Sequence, residues 1–352
     1  MPVPAITARN LGDLVAMTLP ELGKAKFTDI SLPLQKYWAL NELMKENRIT
    51  PQGGDYIQWR VKALLGTASR NVGLVFDDDV SIPDTMVVAE ADWRGTTTNY
   101  GILGPELAMN SSSAKIIDLE MERRIDMLEG LAVLMESNFW GPVVAADDNV
   151  TPWGVKTWIT RPLTYTADGF VGGLPTSSYT TIGLNPTTYS GWRSYFYKYT
   201  DLIPTDFVRK TSLAATRVNF TPPVNVPEYN TGDNWKLYTN LSVQQSLEEL
   251  VRSSNENLGP DIDAYHGQVT FRRMQMNWVP ALDADTSNPI IGIQWGDFKT
   301  FVLPSWWMKQ TYVPQVPGRH TMSAMHTDCI YQHVLRNRRT CFIGATSETD
   351  PS

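Results

Sequence analysis

Residues 111–140 read SSSAKIIDLEMERRIDMLEGLAVLMESNFW, and this stretch decides how the rest of the chain is arranged. Ile117, Met121, Ile125, Leu128, Ala132, Met135 and Phe139 recur at steps of three or four, the spacing of one stripe along an α-helix. Ser111 to Ser113 offer N-cap oxygens, and Gly141-Pro142 stops the helix. At about 1.5 Å per residue such a helix is roughly 40 Å long, more than the few turns usual in a globular domain. Glu120, Arg123, Arg124 and Glu136 are assigned to its outer face, with Glu120 spaced to pair with Arg124 one turn on. The expected element is a spine across which other elements lie.

The clearest strand signal stands N-terminal to this spine. From Tyr56 to Ala63 the chain alternates, with Ile57, Trp59, Val61 and Ala63 on one face and Tyr56, Gln58, Arg60 and Lys62 on the other. From Thr85 to Arg94 it alternates again: Val87, Ala89, Ala91 and Trp93 against Met86, Val88, Glu90 and Asp92. The two runs predict a long hairpin in which Arg60 and Lys62 face Glu90 and Asp92. Its tip, about twenty residues, exceeds the usual hairpin loop and includes the acidic triplet Asp77-Asp78-Asp79. A two-stranded ribbon is marginal in water, so it is expected to rest on a partner and to project away from its own core.

Residues 1–54 are broken by Pro2, Pro4, Pro20, Pro33 and Pro51 and hold too little apolar material to fold alone. Short helices are expected at Leu11–Met17 and Leu34–Lys45, in an arm that lies on another surface. Beyond the spine, residues 141–300 form a mixed α/β unit. It is expected to contain a helix over Asp206–Val218 and another opened by a Ser242/Gln245 capping box and closed by Gly259-Pro260. Strands are expected at Val269–Val279, Ile290–Trp295 and Phe298–Leu303. The chain closes on an alternating run through Cys329, Tyr331, His333 and Leu335, a turn at Asn337-Arg338-Arg339, and a last strand at Cys341–Ala345.

Composition bounds the function. The 352 residues suffice for two or three domain-sized units, 42% are hydrophobic and 19% charged. A net charge of −7 argues against a non-specific nucleic-acid binder. Cys329 and Cys341 are too few for a disulfide framework and suit a reducing compartment. The N-terminus lacks the pattern of a signal peptide, and no run of apolar residues is long enough to span a bilayer. The twelve Trp and 14 Tyr suit either a rich core or large contact surfaces.

Catalytic constellations are weak. Neither glycine-rich phosphate loops nor GxSxG or HExxH motifs occur. His320, His326, Asp328 and Cys329 cluster in sequence, but their spacing matches no standard zinc pattern, and no metal, cofactor or catalytic residue is predicted. Asp77-Asp78-Asp79 lacks the spaced ligands of a calcium loop and suits contact with basic groups of another subunit. Glu120, Glu122 and Asp126 lie among Arg123 and Arg124, as on a solvated helix face.

The order of parts, arm, hairpin, spine, α/β unit and closing strands, resembles the major capsid protein of tailed bacteriophages, the HK97-type fold. The resemblance covers about residues 50–345. It is carried by the hairpin at 55–94, by Met121 to Leu131 with Asn138-Phe139-Trp140, by Pro152-Trp153-Gly154-Val155, by Gly172-Gly173 with Trp192-Arg193, and by Asn337-Arg338-Arg339 before Gly344. It implies an α+β chain with an N-terminal arm (1–50), an extended E-loop hairpin (51–99), a P-domain (100–140 with 301–352) and an A-domain (141–300). It further implies a virion protein, assembled in the host cytoplasm, whose hexamers and pentamers close an icosahedral shell around double-stranded DNA. A separate scaffolding protein, or none, is implied, with portal and cement proteins as the further partners. The chain shows no long scaffolding segment before the arm. Lys62 is explained by its charged setting, so no cross-link is expected. Arg60, Lys62, Glu90, Asp92, Asp77, Asp78 and Asp79 are the expected intersubunit contacts. The competing readings are a carbohydrate-acting enzyme with a Trp-rich groove, for which Asp168 and Asp201 are the candidate carboxylates, and an oligomeric tail component.

Overall fold

A computed structural model gives the fold, and it describes residues 37–45, 47–64, 71, 85–109, 113–145, 148–173, 183–219, 234–254, 270–272 and 274–348. The expected helix at Leu11–Met17, most of the hairpin tip with Asp77-Asp78-Asp79, His266 and the expected helix stop at Gly259-Pro260 lie outside these residues.

The spine is α3, Ser113–Trp140, a helix of 28 residues. It follows α1 (Trp38–Leu43), the strands β1 (Ile49–Pro51), β2 (Ile57–Lys62), β3 (Met86–Ala91) and β4 (Arg94–Leu103), and the short α2 (Gly104–Met109), and it precedes the single-turn α4 (Val155–Trp158). Its buried side is not the stripe expected from sequence. Met127, Leu131, Met135 and Phe139 are buried, whereas Met121 is exposed and Ile125, Leu128 and Ala132 are half-buried. Two apolar rows run along this helix and converge on Met135 and Phe139. The row at steps of four is the one packed on the sheet. Glu120 and Glu136, expected to face solvent, are buried as well. Each has specific company: Tyr100 shares a hydrogen bond with Glu120, while Glu136 accepts from the amides of Ala39 and Leu40 and from the Trp140 indole. Burial raises both carboxyls above their ordinary value. Arg124 acts on Glu120 as a counter-charge.

Two sheets flank the spine's C-terminal end. The five-stranded sheet is built on β13 (Met322–Leu335), which pairs antiparallel with β4, with β12 (Lys309–Val313) and with β11 (Phe298–Val302); β1 adds parallel to β11. The seven-stranded sheet has the order β5 (Gly169–Gly172), β6 (Ser194–Lys198), β14 (Phe342–Ala345), β10 (Ile290–Gln294), β7 (Trp235–Thr239), β9 (Met274–Trp278) and β8 (Thr270–Phe271). Sheet membership does not follow a boundary at residue 300. β11 joins the first sheet, while the final strand β14 threads back into the middle of the second.

The central strands β6, β14 and β10 of the seven-stranded sheet are buried on both faces. Tyr195, Tyr197, Ile290 and Phe342 point into a core shared with α5 (Arg209–Val218) and α6 (Leu241–Ser254). Their chain neighbours Phe196, Ile291 and Ile343 point into the main core, with Phe139, Trp140, Trp158 and Trp295. This is the period-two alternation of a strand with an apolar layer on each side. A third cluster seats Leu131 and Met135 of α3 on Cys329 and Tyr331 of β13.

Several local expectations shift. The helix expected from Asp206 begins as a single π-turn, Pro204–Val208, before α5. α6 is capped not by Ser242 but by Asn240, whose side chain accepts from the Val243 amide at 3.1 Å. The strand expected over Val269–Val279 is broken into β8 and β9 beside Arg272, which has a positive φ of 49°. The helix expected at Leu34–Lys45 is α1, and the strands at Ile290, Phe298 and Cys341 fall within a residue or so of the expected spans.

Candidate intersubunit surface

The hairpin has the two faces its alternation predicts. Ile57 and Trp59 of β2 and Ala89 and Ala91 of β3 are buried, while Gln58, Arg60, Lys62, Met86 and Val88 face outward. Its register differs from the expected one. Gln58 stands opposite Glu90, Arg60 opposite Val88 and Lys62 opposite Met86. Gln58 donates to Glu90 at 2.9 Å. Asp92 lies beyond the ladder, 3.7 Å from Arg94. The expected Arg60/Lys62 to Glu90/Asp92 charge ladder is therefore absent. The strands are matched by their apolar faces, and burying Trp59 beside Ala89 outweighs an exposed ion pair of about 1 kcal/mol or less.

The ribbon also does not stand clear of its own chain. Ile57, Trp59, Ala89 and Ala91 belong to the main core, and the Trp59 ring meets Trp158 edge-on at 6.3 Å. The Trp93 indole donates to the Gly54 carbonyl at 2.9 Å and closes the ribbon's base. The described part of the hairpin is thus a wall of the fold, contrary to the projecting ribbon expected. Its outward face joins Tyr56, Met86 and Val88, which are 53%, 53% and 47% exposed, to Arg60 and Lys62. Sequence reasoning put these apolar side chains on the polar face but gave them no role; the signal was their presence on a face that alternation assigns to solvent.

The segment around Pro152 fixes the hairpin's floor. The Trp153 amide donates to the Gln332 side chain at 2.8 Å, and the Trp158 indole to the His333 carbonyl at 2.9 Å. Between them, Gly154 lets its backbone approach the end of α3: a Cβ there would lie 2.4 Å from the Phe139 carbonyl oxygen. The Arg338 side chain, wholly buried, donates to the carbonyls of Trp158 and Trp192 and to the Thr160 hydroxyl. The sequence motifs at 152–155, 192–193 and 337–339 therefore meet at one junction.

Chemistry is sparse elsewhere. Cys329 is buried against the Met308 sulfur, and burial raises its thiol. Among the described residues, no three His, Cys, Asp or Glu side chains converge as metal ligands. Asp168 accepts from the Tyr165 hydroxyl and the Lys198 amide, a structural role, and Asp201 lies at an exposed bend. No helix among the described residues is long and apolar enough to cross a membrane.

No protein-family model and no curated protein matches the sequence. Solved structures do match the fold, over nearly the whole chain. A subunit of the cyanophage A-1(L) capsid superposes with a TM-score of 0.59 at 14% identity, covering 95% of this chain and 99% of that one. The chain has a phage-capsid fold. A subunit from the capsid of the native GTA particle gives 0.51 at 10% identity, over 99% of this chain and 100% of its own. One from the capsid of cyanophage P-SCSP1u gives 0.50 at 11% identity, over 93% and 92%. The capsid resemblance read from the order of parts holds at the level of the fold, though at these identities few of the individual side chains are shared.

Proposed function

We propose that this chain is a structural capsid subunit of the HK97 type, with no catalytic role, that assembles into hexamers and pentamers of an icosahedral shell around double-stranded DNA. The carrying observation is the likeness to capsid structures along the full length of both chains, not along one domain. In this reading residues 1–50 form the arm, 51–99 the E-loop, 100–140 with 301–352 the P-domain and 141–300 the A-domain. Scaffolding, portal and cement proteins are its partners, and the virion, built in the host cytoplasm, is its location. The outward ribbon face, with Arg60, Lys62 and the apolar Met86 and Val88, is the contact with a neighbouring copy. Glu90, Asp92 and the triplet Asp77-Asp78-Asp79 supply its acidic side.

The test is the mass and image of the purified protein. Closed shells of many copies by electron microscopy are the expected result. A small oligomer stable at high concentration, or an open tube, would count against a shell and favour another virion component.

A further inference from the structure

Among the described residues, every free strand edge but one is blunted. A free edge presents unpaired amides and carbonyls to any other strand, and proteins guard such edges with short strands, charges, prolines or irregular pairing. β1 has three residues and ends in Pro51. β8 has two, and β5 pairs with a register shift between Gly169 and Gly172. The β2 edge carries the exposed Arg60 and Lys62. At the β3 edge the chain passes close by at Gly183, where a Cβ would lie 3.2 Å from the Val88 carbonyl oxygen. β12 opens on the exposed Lys309, whose ammonium lies 3.8 Å from the Trp306 ring centre.

β4 lacks all of these devices. It runs ten residues, pairs with β13 in unbroken register, and holds no proline and no charge beyond Arg94, which is buried at its start. Which of its groups are free follows from the ladder. The Gly104 amide donates to the Thr321 carbonyl at 2.7 Å, so the even-numbered residues of β4 turn their amides and carbonyls to β13 and the odd-numbered ones turn theirs away. Of the outward set, the Gly101 carbonyl is taken by Arg123 of the spine at 2.8 Å, which closes one end. Gly95, Thr97 and Asn99 remain. All three are exposed, and their amides and carbonyls make no hydrogen bond among the described residues.

We propose that this edge pairs antiparallel with the same edge of a second copy, about a twofold axis through Thr97. The free segment is its own complement. Thr97 faces the partner subunit's Thr97, and Asn99 faces the partner's Gly95, which has no side chain to crowd it. Each facing pair exchanges two backbone hydrogen bonds, Thr opposite Thr is a favourable cross-strand neighbour, and no like charges stand opposite. The same pairing at β2 or β12 would set Arg60, Lys62 or Lys309 against like charges. An isologous pair cannot close a ring, which needs head-to-tail contacts, so under the capsid reading it joins copies in adjacent rings. That placement rests on the capsid reading; the pairing itself does not.

The test is disulfide trapping in the full chain, whose own cysteines, Cys329 and Cys341, are buried. The two Thr97 positions would have Cα atoms about 5.5 Å apart, within disulfide reach, whereas the two Asn99 positions would be about 14 Å apart. Thr97→Cys, mildly oxidised, should therefore give covalent dimers on a non-reducing gel, and Asn99→Cys about tenfold fewer. Gly95→Cys, at a position with nothing within 4 Å of its Cβ, should cross-link to Asn99→Cys when the two variants are mixed, beyond what either gives alone. Adding Thr97→Pro to both removes the outward amides and leaves the ladder to β13 intact. It should abolish those mixed dimers with the circular dichroism unchanged. Thr97→Cys without dimers, or Asn99→Cys dimers in equal yield, would overturn the proposal. So would a Thr97→Pro variant that weakens association while Thr97→Cys gives no dimers, which would assign the edge to a different segment. Shells without trapped dimers sink this pairing alone, and trapped dimers without shells sink the capsid reading alone.

Discussion

Glu136, in the last turns of the spine, holds the Leu40 amide of α1 at 2.8 Å. Its other oxygen takes the Ala39 amide at 3.1 Å and the Trp140 indole at 2.7 Å. α1 has no capping side chain of its own, so a carboxylate nearly a hundred residues away satisfies its first amides. Glu136→Ala would orphan all three donors in a buried site, at about 1–3 kcal/mol for the first and less for the others, in total about 3–5 kcal/mol. Glu136→Gln keeps the acceptor and should cost about half as much. Urea unfolding with a buried-tryptophan signal reads both, and equal losses for the two variants would contradict the cap.

The hairpin separates two roles on opposite faces. Trp59 is buried against Trp158, so Trp59→Ala should destabilise the subunit by about 3–5 kcal/mol. Arg60→Glu with Lys62→Glu lies on the exposed face and should change subunit stability by less than about 1 kcal/mol, while shells are lost or misshapen by electron microscopy. Adding Glu90→Lys and Asp92→Arg should not restore them through the ribbon, since Arg60 faces Val88 and Lys62 faces Met86. Restoration would imply a different register.

Two glycines near the spine should respond in opposite directions. At Gly154 a Cβ would lie 2.4 Å from the Phe139 carbonyl and 2.6 Å from that of Asn138, both backbone atoms that cannot turn aside. Gly154→Ala should force the junction apart and cost several kcal/mol. Gly130 is exposed within α3 with nothing within 4 Å of its Cβ position, so Gly130→Ala should stabilise by about 0.5–1 kcal/mol. Thermal midpoints of the two variants moving the same way would refute the contrast.

What sequence could show was periodic. Alternation assigned Ile57, Trp59, Ala89 and Ala91 to one hairpin face, and the three-four spacing placed α3 within two residues of its start. Register and rotation were not periodic quantities. A one-residue choice between two apolar rows on α3 exchanges Ala132 for Leu131 and Leu128 for Met127, and only the sheet beneath decides between them. Opposite charges suggested that Arg60 meets Glu90, but apolar burial sets strand register more strongly than exposed charge does. The ion pair of Glu42 with Lys236 had no sequence signature, since the two are 194 positions apart and meet only in the fold. The same holds for β14, whose return to the centre of the second sheet follows from pairing partners and not from its own residues.

Three buried groups, His333, Asp297 and Glu42, shape the acid response, and the raised carboxyls of Glu120 and Glu136 act in the same sense as Asp297. Burial holds the His333 ring at about 3, well below its ordinary 6.5, between Phe139 and Tyr331. Its folded form stays neutral while the unfolded chain takes up a proton, so His333 withdraws stability as pH falls from 6.5 toward 3. Asp297 acts in the other direction. Its folded carboxyl, at about 6 against an ordinary 3.8, binds a proton before the unfolded one does, so it adds stability as pH falls from 6 to 3.8. Glu42, which burial alone would raise but Lys236, Lys45 and Arg48 hold at about 2 against 4.5, withdraws stability only below 4.5. At about 1.4 kcal/mol per pH unit and group, His333 and Asp297 nearly cancel between pH 6 and 4.5. Below 4, where Asp297 is exhausted, His333 and Glu42 act together. The urea midpoint should therefore be nearly flat from pH 7 to 4.5 and drop steeply below 4. Asp297→Asn, which keeps an acceptor for the Thr340 hydroxyl, removes the compensation. That variant should lose about 2 kcal/mol between pH 6.5 and 5, where the parent loses under about 1 kcal/mol. A variant profile as flat as the parent's would show that Asp297 does not carry the opposing proton.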